Sequence, residues 1–475
     1  MPSLVSRFFS AKLLALITIV IGASLFLGIS SKTNATPDPA EFPGGAGSVR
    51  DLTRNAFGHP LVGVSNQERR EFFVGNSFFK DVWVQAPSST EGRDGLGPTF
   101  NATSCSACHG LDGRGPAFLE ANGKVRVDLS LLFRLSGLTV DGFLGDHPVY
   151  GEQLNPFGIK GVPGEGQASV EFTDIPVTYP DGEVATLRRP RYSFANLAFG
   201  DLEPHPRARF SPRQAPQVIG LGLIEAIPAA DILALEDPQD ANGDAISGRA
   251  NWALDHLTGQ KALGRFGWKA GQPTVRQQSA AAFNGDMGLT TSMFPNENCP
   301  PLQTACVAAP TGGAPEVTDQ QLDRVTLYMQ LLAVPARRKP RDPEVLFGEK
   351  LFHQVNCATC HTPRFTTGAD APSAMLRNQI IFPYSDFLLH DVGMDLADHR
   401  PEAMANGREW RTPPLWGLGM IRTVNGHQNL MHDGRARGVE EAILWHGGEA
   451  EASKRAFMGL TAPERKALIE FVNDL

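Results

Sequence analysis

Apolar residues recur at helical spacing in two separate regions of the chain, and each run begins with a capping signal. Thr318 and Gln321 have the spacing of a capping box, so a helix is predicted to begin there and to stop at Pro335. Near the C-terminus, Thr461 and Glu464 repeat that spacing and predict a second helix. The apolar stripes are Leu322, Val325, Met329 and Leu332 in the first helix, and Leu468, Phe471, Val472 and Leu475 in the second.

A third helical pattern ends on a histidine. Val439, Ala442, Ile443 and His446 fall at positions i, i+3, i+4 and i+7, so they share one helix face. Glycines follow directly and can end the helix. His446 is therefore predicted to point inward among aliphatic neighbours, where a buried imidazole needs a partner.

The stretch between the first two helices contains a candidate domain boundary. Residues 336–343 are basic and proline-rich, which is typical of a linker. Pro343 then suits the first turn of a new helix, which is predicted to run into Cys357. We therefore predict an N-terminal domain over residues 36–335 and a C-terminal domain over residues 343–475.

Residues 1–35 have the pattern of an export signal. Arg7 and Lys12 precede an apolar run from Leu13 to Ile29, and small residues follow it. A retained membrane anchor is the alternative, because the run is long for a signal core and short for a spanning helix. In either case the chain is predicted to be exported, and we place it in the periplasm.

The net charge of the chain limits which classes of binding partner are expected. The formal net charge is −8, and residues 1–35 hold basic but no acidic residues, so the remainder is more acidic still. This balance argues against nucleic-acid binding, which depends on basic surface. An apolar content of 41% together with 20% charged residues excludes a disordered chain.

Four of the six cysteines belong to two Cys-x-x-Cys-His motifs. This pattern is typical of covalent c-type haem attachment, in which two thiols form thioethers to one porphyrin and the histidine becomes the proximal ligand of the iron. The export signal agrees, because c-type haem is attached outside the cytoplasm. The residues are Cys105, Cys108 and His109 in the first motif, and Cys357, Cys360 and His361 in the second.

The motif cysteines could also serve two other functions. A thioredoxin-like redox pair would need a βαβ context, and a zinc site made of four cysteines would leave both following histidines unexplained. The remaining cysteines, Cys299 and Cys306, lie in a proline-containing loop and are predicted to form a structural disulfide.

The chain also contains an internal repeat. GLGLI at residues 220–224 matches GLGMI at residues 417–421, and each copy lies downstream of its own cysteine motif. We interpret this as a duplicated haem domain with extra material in the first copy. The predicted fold is therefore mainly α, with two cytochrome c-like haem domains, long loops and an insertion in the first domain.

Longer stretches carry a family resemblance. The two cysteine motifs, GREWRTPPLWGLG and LMHDGRARGVEEAILWHGGEA together resemble the bacterial di-haem oxidoreductase family, which is related to di-haem cytochrome c peroxidases. The resemblance covers about residues 50–475. It implies two haem cofactors and a haem-dependent, peroxidase-like oxidoreductase, in which electrons enter at one haem and O–O cleavage occurs at the other.

Two rival functions stay open at this point. One is an electron-transfer cytochrome without substrate chemistry, and the other is an oxygenase similar to the rubber-cleaving di-haem enzymes. The expected partners are a small redox protein or a quinol-linked electron donor, and a small-molecule oxidant. An iron face that substrate can reach at the first haem would separate the enzymes from the carrier.

The resemblance assigns a role to His446. In the related peroxidases the matching position carries a methionine ligand to the electron-transfer haem, so His446 is predicted to be the sixth ligand of the haem that His361 holds. Histidine in place of methionine should lower the haem potential. Met431 is the competing ligand. The adjacent His432, Asp433 and Arg435 either form a polar cluster near the haem edge that binds propionates or serve only the turn.

The first haem, at His109, is where the resemblance places substrate chemistry. A peroxidatic site needs an acid or base that moves a proton between the peroxide oxygens. Glu225 is the predicted residue, because its position resembles that of a distal glutamate in the peroxidases. Further candidates are His147, Tyr150 and His205, with Trp83 as an electron relay or a packed side chain and His390-Asp391 without an assigned role.

An acidic loop offers oxygen ligands. Asp240, Asn242 and Asp244, preceded by Asp237, alternate around a glycine as at the start of a calcium loop. The glutamate that usually ends such a loop is missing, since Asn251 is in its place. Calcium is favoured over a plain acidic turn, because related di-haem enzymes hold a calcium ion near the haems.

Overall fold

The computed structural model of the chain describes residues 39–121, 124–138, 144–202 and 207–475. The predicted export signal or anchor at residues 1–35 and the candidate His205 lie outside these ranges. Residues 38–475 form one compact unit. The proposed division near residues 336–343 stays a prediction.

The predicted helices are present with their caps. Thr318 and Thr461 each form a capping box, with Gln321 and Glu464, and the helix that begins at Pro343 ends before the second cysteine motif. The α-helices are α1 Asn66–Lys80, α2 Cys105–Cys108, α3 Leu221–Glu225, α4 Ala229–Leu233, α5 Val275–Met287, α6 Thr304–Val307, α7 Asp319–Leu331, α8 Pro343–Gln354, α9 Ile421–Asn425, α10 Val439–Trp445, α11 Glu451–Met458 and α12 Ala462–Asp474.

The prediction of a mainly α fold is wrong. The structure is mixed, with 31% of residues helical and 20% in strands, and it is not built of mainly α cytochrome c-like domains. The strands are β1 Thr99–Phe100, β2 Phe118–Ala121, β3 Lys124–Val127, β4 Leu131–Leu138, β5 Leu144–Gly145, β6 Phe157–Gly158, β7 Gln167–Thr178, β8 Val184–Ala195, β9 Ala208–Gln214, β10 Trp252–Asp255, β11 Gln260–Leu263, β12 Phe365–Thr366, β13 Ile380–Ile381, β14 Leu389–Asp391 and β15 Glu409–Arg411.

The strands form several small antiparallel sheets rather than one layer. β4 lies between β5 and β9, while β7 and β8 form a hairpin with twelve residues in each strand. β7 alternates apolar and polar positions over Val170 and Phe172, as a strand requires. The extra material in the first half is therefore β structure, which helical periodicity alone could not reveal.

The internal repeat extends well beyond the GLGLI and GLGMI segments. Gly220 and Gly417 both have φ +71° and donate their N–H groups to Leu332 and Leu475, at the ends of α7 and α12. A left-handed φ at both positions is readily accessible only to glycine. The matched geometry supports duplication of this part of the chain.

Two helix pairs form the centre of the repeat, since α1 packs against α7 and α8 packs against α12. Phe79 of α1 lies 5.3 Å from the ring of Tyr328, and Phe352 of α8 lies 5.3 Å from the ring of Phe471. The two pairs contribute to one continuous hydrophobic cluster, so the halves share a core.

The β7–β8 hairpin connects the first repeat to the second. Tyr179 near its tip donates a hydrogen bond to Glu440 of α10 at 2.8 Å, and Arg465 of α12 contacts Asp181 at 2.8 Å. Arg188 of β8 donates to the carbonyl of Arg435 at 3.0 Å. The hairpin therefore helps to hold α10 and the turn before it.

Two further expectations can be compared with the structure. Cys299 and Cys306 form a disulfide, as predicted. Within the part of the chain that the structure describes, no helix is both long enough and apolar enough to cross a bilayer.

Gly75 and Gly348 should be the most sensitive points of the two helix pairs. A Cβ on Gly75 would lie 2.1 Å from the carbonyl oxygen of Arg324, and one on Gly348 would lie 1.9 Å from that of Ala467. We expect either glycine-to-alanine substitution to lower the free energy of unfolding by about 1–3 kcal/mol through overpacking. Denaturant unfolding followed by circular dichroism measures the change.

Gly92→Ala is the control for that measurement, because no atom lies within 4 Å of its added Cβ. It should change the free energy of unfolding by less than about 0.5 kcal/mol, as surface substitutions usually do. Equal effects of all three substitutions would show that helix contact at the glycines is not what limits stability.

Candidate functional site

One cavity joins the two cysteine motifs. Its volume is ≈ 490 Å³, and side chains from both halves of the chain line it. The lining includes all six predicted attachment residues and the predicted distal ligand, namely Cys105, Cys108, His109, Cys357, Cys360, His361 and His446.

The two motif histidines have the same hydrogen-bonding arrangement. His109 donates from Nδ1 to the carbonyl of Pro216 at 2.7 Å, and His361 donates from Nδ1 to the carbonyl of Tyr384 at 3.0 Å. A proton on Nδ1 leaves the lone pair on Nε2, the form of imidazole that binds a metal. Burial lowers the pKa of His109, and burial together with the charge of His446 lowers that of His361 to about 4.

The motif cysteines are suited to covalent attachment rather than to thiol redox chemistry. None of the four forms a disulfide in the described chain, and burial raises the pKa of Cys105 and of Cys357 to about 12. A reactive redox pair has a lowered thiol pKa, so that function is disfavoured. The described His, Cys, Asp and Glu residues also do not gather the four cysteines around one metal position.

His446 lies at the end of α10 and completes a set of three similar imidazoles. Its Nδ1 donates to the carbonyl of Ala442 at 2.7 Å, and burial lowers its pKa. His446 and His361 line the same cavity. Both imidazoles can therefore offer a nitrogen ligand to a metal held there.

α5 is the counterpart of α10 in the first repeat. Both helices begin with a buried valine, Val275 or Val439, and they pack against α7 and α12 respectively. Counted from those valines, Ala282 has the eighth position in α5, as His446 has in the second repeat. Both residues line the cavity. A methyl group cannot ligate a metal, so the two sites differ at this position.

The contacts of Glu225 differ from those expected for its predicted catalytic role. Its carboxylate accepts hydrogen bonds from the backbone N–H of Val275, at 2.7 Å, and from the side chain of Gln330, at 2.5 Å. Among the described residues that line the cavity, Glu225 is absent. The geometry therefore favours a structural role at the start of α5, and the catalytic role stays a prediction.

The turn before α10 combines ionic and aromatic contacts. Asp433 is fully buried and forms an ion pair with Arg435 at 2.8 Å. His432 stacks on Trp410 with ring centroids 3.8 Å apart, and burial lowers its pKa to about 4. Both His432 and Met431 line the cavity. The turn thus forms part of the wall as well as fixing the backbone.

His390 has partners that sequence inspection did not identify. Its Nε2 lies 2.8 Å from Asp386 and its Nδ1 lies 2.7 Å from Glu449. Although burial opposes protonation, Asp386 and the hydrogen bonds raise the pKa of His390 well above its usual value. Nδ1 is also 3.7 Å from the sulfur of Cys360, so this cation lies directly beside the second motif.

The other candidates for the first site lie away from the cavity. Trp83 is buried against Phe283 with ring centroids 5.7 Å apart, which fits a packed side chain. His147 accepts backbone N–H groups at its Nδ1, and the hydroxyl of Tyr150 accepts the N–H of Phe199 at 3.1 Å. None of Trp83, His147 and Tyr150 is among the described residues that line the cavity.

The acidic loop uses its side chains for local turns. Asp237 accepts the N–H of Ala241, Asp240 that of Ala245, Asn242 that of Asp244, and Asp244 that of Ile246. In the described chain, the group of three metal-ligating atoms within 4.8 Å is Cys360, Asp386 and His390 instead. A calcium ion at Asp240, Asn242 and Asp244 stays a prediction.

A buried ionic network in the cavity wall was missed from the sequence. Arg213 contacts Glu402 at 2.6 Å, Arg400 contacts both Glu402 and Glu152 at 3.1 Å, and Arg134 contacts Glu152 at 3.2 Å. These residues come from separate segments. No local motif could have brought them together.

Comparison with known proteins agrees with the geometry. The sequence pattern of the family described as "Di-haem oxidoreductase, putative peroxidase" matches residues 40–142 and 146–475. The chain therefore belongs to the di-haem oxidoreductase family, and this membership implies haem cofactors. The search found no match among curated proteins and none among solved structures.

Glu225→Ala separates the structural role of this carboxylate from a catalytic one. Because Glu225 accepts the N–H of the first residue of α5, we expect the substitution to lower the free energy of unfolding by about 0.5–2 kcal/mol, as loss of a helix cap does. Denaturant unfolding measures this, and peroxide turnover by the folded variant should persist. Loss of turnover at unchanged stability would instead favour the catalytic assignment.

Proposed function

We propose that the protein is a c-type di-haem oxidoreductase that reduces a peroxide at the haem of the first motif. The observation that carries this proposal is the difference between Ala282 and His446 at matching positions of α5 and α10. With His361 and His446, the second haem would have two histidine ligands and would be suited to electron transfer. Because Ala282 offers no ligand, the first haem would stay accessible to substrate.

The attachment residues have distinct roles in this proposal. Cys105 and Cys108 would hold one haem through thioethers and His109 would ligate its iron, while Cys357, Cys360 and His361 would do the same for the other. A bound haem would supply an iron that accepts and donates electrons. His446 would offer a further nitrogen ligand to the second haem, and its Nδ1 hydrogen bond to the carbonyl of Ala442 orients the ring.

Reduction of a peroxide needs a proton source as well as electrons. The O–O bond breaks, two electrons enter from a donor, two protons are taken up, and the products are an alcohol or water and one further water. Asp286 lines the cavity, and burial raises the pKa of its carboxyl group. Although burial opposes it, Arg213 and Arg400 lower the pKa of Glu402 to about 2. Asp286 is therefore the better proton donor.

The setting and the electron donor are also proposals. The disulfide between Cys299 and Cys306 supports an oxidising compartment such as the periplasm, as does the apolar N-terminal run. A small redox protein or a quinol-linked donor would deliver the electrons there. The acidic chain suits a partner with a basic surface.

Paired substitutions test the difference between α5 and α10. His446→Ala should convert one of two haems from low-spin to high-spin in the electronic and EPR spectra, because its iron loses a strong-field ligand. Ala282→His should convert the first haem from high-spin to low-spin, because its iron gains a strong-field ligand. It should also abolish the reaction with peroxide. Arg276→His, which puts an imidazole in the same helix outside the described lining of the cavity, is the control and should leave the first haem reactive.

The same spectra can contradict the proposal. Two low-spin haems in the unmodified protein that peroxide does not alter, even after partial reduction, would indicate an electron carrier. An unchanged spectrum in His446→Ala would remove His446 as a ligand. Formation of a stable dioxygen adduct without peroxide reduction would favour the oxygenase.

Asp286→Asn tests the proton donor. General acid catalysis contributes about 10²–10⁴-fold to rate, so we expect the rate of peroxide reduction to fall by that factor while both haems remain bound. In the unmodified protein the rate should decline as the pH rises through the elevated pKa of Asp286, since the protonated carboxyl is the active form. Stopped-flow kinetics across pH measures both effects, and Asp174→Asn, which changes an exposed carboxylate of β7, is the control. An unaltered rate would exclude Asp286.

A further inference from the structure

Buried cations elsewhere in this protein are paired with carboxylates. Lys269, fully buried, contacts Asp398 at 2.8 Å, and Arg337 contacts Asp474 at 2.9 Å. A buried charge without a partner is costly, because it has lost its hydration and gained no compensating attraction. An unpaired buried cation in the same protein therefore indicates a missing anion.

Three arginines depart from this pattern: Arg114 and Arg265 are buried, and Arg411 is partly buried. Arg114 donates to the side-chain oxygen of Gln214 at 3.0 Å and to the carbonyl of Met431. Arg265 donates to the carbonyl of Ile224 at 3.0 Å. Their acceptors are neutral. Among the described residues, no carboxylate oxygen lies within the 4.0 Å ion-pair distance of either guanidinium.

Arg411 is the third exception. It donates to the carbonyls of Gly267, at 3.0 Å, and Thr412, at 3.1 Å, and it too has no carboxylate within 4.0 Å in the described chain. Burial lowers the pKa of Arg411 to about 10 and that of Arg114 to about 9. Arginine nevertheless stays protonated in proteins, so each of these charges has to be balanced.

All three arginines line the cavity that joins the two haem motifs. They are grouped around the loop of residues 264–272, to which Arg265 itself belongs. Arg114 lies over the ring of Trp268 in that loop, 5.2 Å from its centroid, while Arg411 bonds the carbonyl of Gly267. The unpaired positive charge is therefore concentrated on one part of the cavity wall.

We propose that Arg114, Arg265 and Arg411 bind the propionate carboxylates of the two haems. This inference rests on the proposed function, in which both haems occupy the cavity. Each haem carries two propionates, and a guanidinium binds a carboxylate through a fork of parallel N–H donors. Binding would balance the three charges in the cavity wall and would set the orientation of each haem about its iron–histidine bond.

Glutamine substitutions of the three arginines, made singly in the protein with both haems attached, test this assignment. Loss of a guanidinium leaves a propionate less neutralised, so the remaining negative charge stabilises the oxidised iron. We expect a lower midpoint potential for one haem in each variant, measured by spectroelectrochemical titration. We also expect the propionate-bending band in the resonance Raman spectrum to shift, because that band reports hydrogen bonding to the carboxylate.

Arg213→Gln is the matched control. Arg213 is buried and lines the same cavity, but it is paired with Glu402 at 2.6 Å. Its loss changes the local charge without removing a propionate partner, so the propionate band should stay in place. The assignment is overturned if all three variants leave that band unchanged, or if Arg213→Gln shifts it equally.

A haem assay separates failure of this inference from failure of the proposed function. Pyridine haemochrome analysis of the unmodified protein counts covalently bound haem. Fewer than two haems per chain would contradict the proposed function itself. Two haems with an unshifted propionate band in the arginine variants would contradict only the propionate assignment, and the unpaired guanidinium groups would then serve an anionic substrate.

Discussion

The site depends on one repeated hydrogen bond, from the Nδ1–H of a partly buried imidazole in the cavity wall to a backbone carbonyl. His109, His361 and His446 each make it, to carbonyls at 2.7–3.0 Å. The bond fixes both the orientation of the ring and the nitrogen that keeps its lone pair. Burial lowers the pKa of all three residues, which favours the neutral imidazole, the form that can ligate a metal. The packing of the surrounding helices serves to hold these carbonyls in place.

Duplication followed by divergence explains how one chain could contain two different sites. The helix pairs α1–α7 and α8–α12 keep the same glycine contacts and the same aromatic spacing. The two repeats differ at α5 and α10. Ala282 has the eighth position counted from the start of α5, and His446 has the eighth position counted from the start of α10. A change of one side chain on a common frame can thus separate electron transfer from substrate chemistry.

Several charged side chains in the cavity wall are each placed beside groups of opposite charge. Glu402 and Glu152 are held as anions by the arginines beside them, and His390 is held as a cation between Asp386 and Glu449. In a low-dielectric interior such pairs resist a change of protonation. Groups without an ionic partner are the ones free to bind or to exchange a proton.

Much of the site was predictable from the sequence because its signals are local. The cysteine motifs, the capping boxes, the disulfide and the GLG repeat each lie within a few residues, and the structure contains all of them. The inward direction of His446 followed from helical spacing. These features depend on neighbours along the chain, so periodicity and spacing are sufficient to find them.

The tertiary structure decided what depends on distant residues. Only folding placed the carboxylate of Glu225 at the start of α5 and brought Asp386 and Glu449 to His390. Folding also left Arg411 with no carboxylate within 4.0 Å among the described residues. The mixed fold was mispredicted for a related reason, because β7 and β8 are stabilised by pairing with each other and show no helical period. The sequence alone determined which groups the protein carries, and three-dimensional packing determined which of them meet, because burial and ion pairing join residues far apart in the chain.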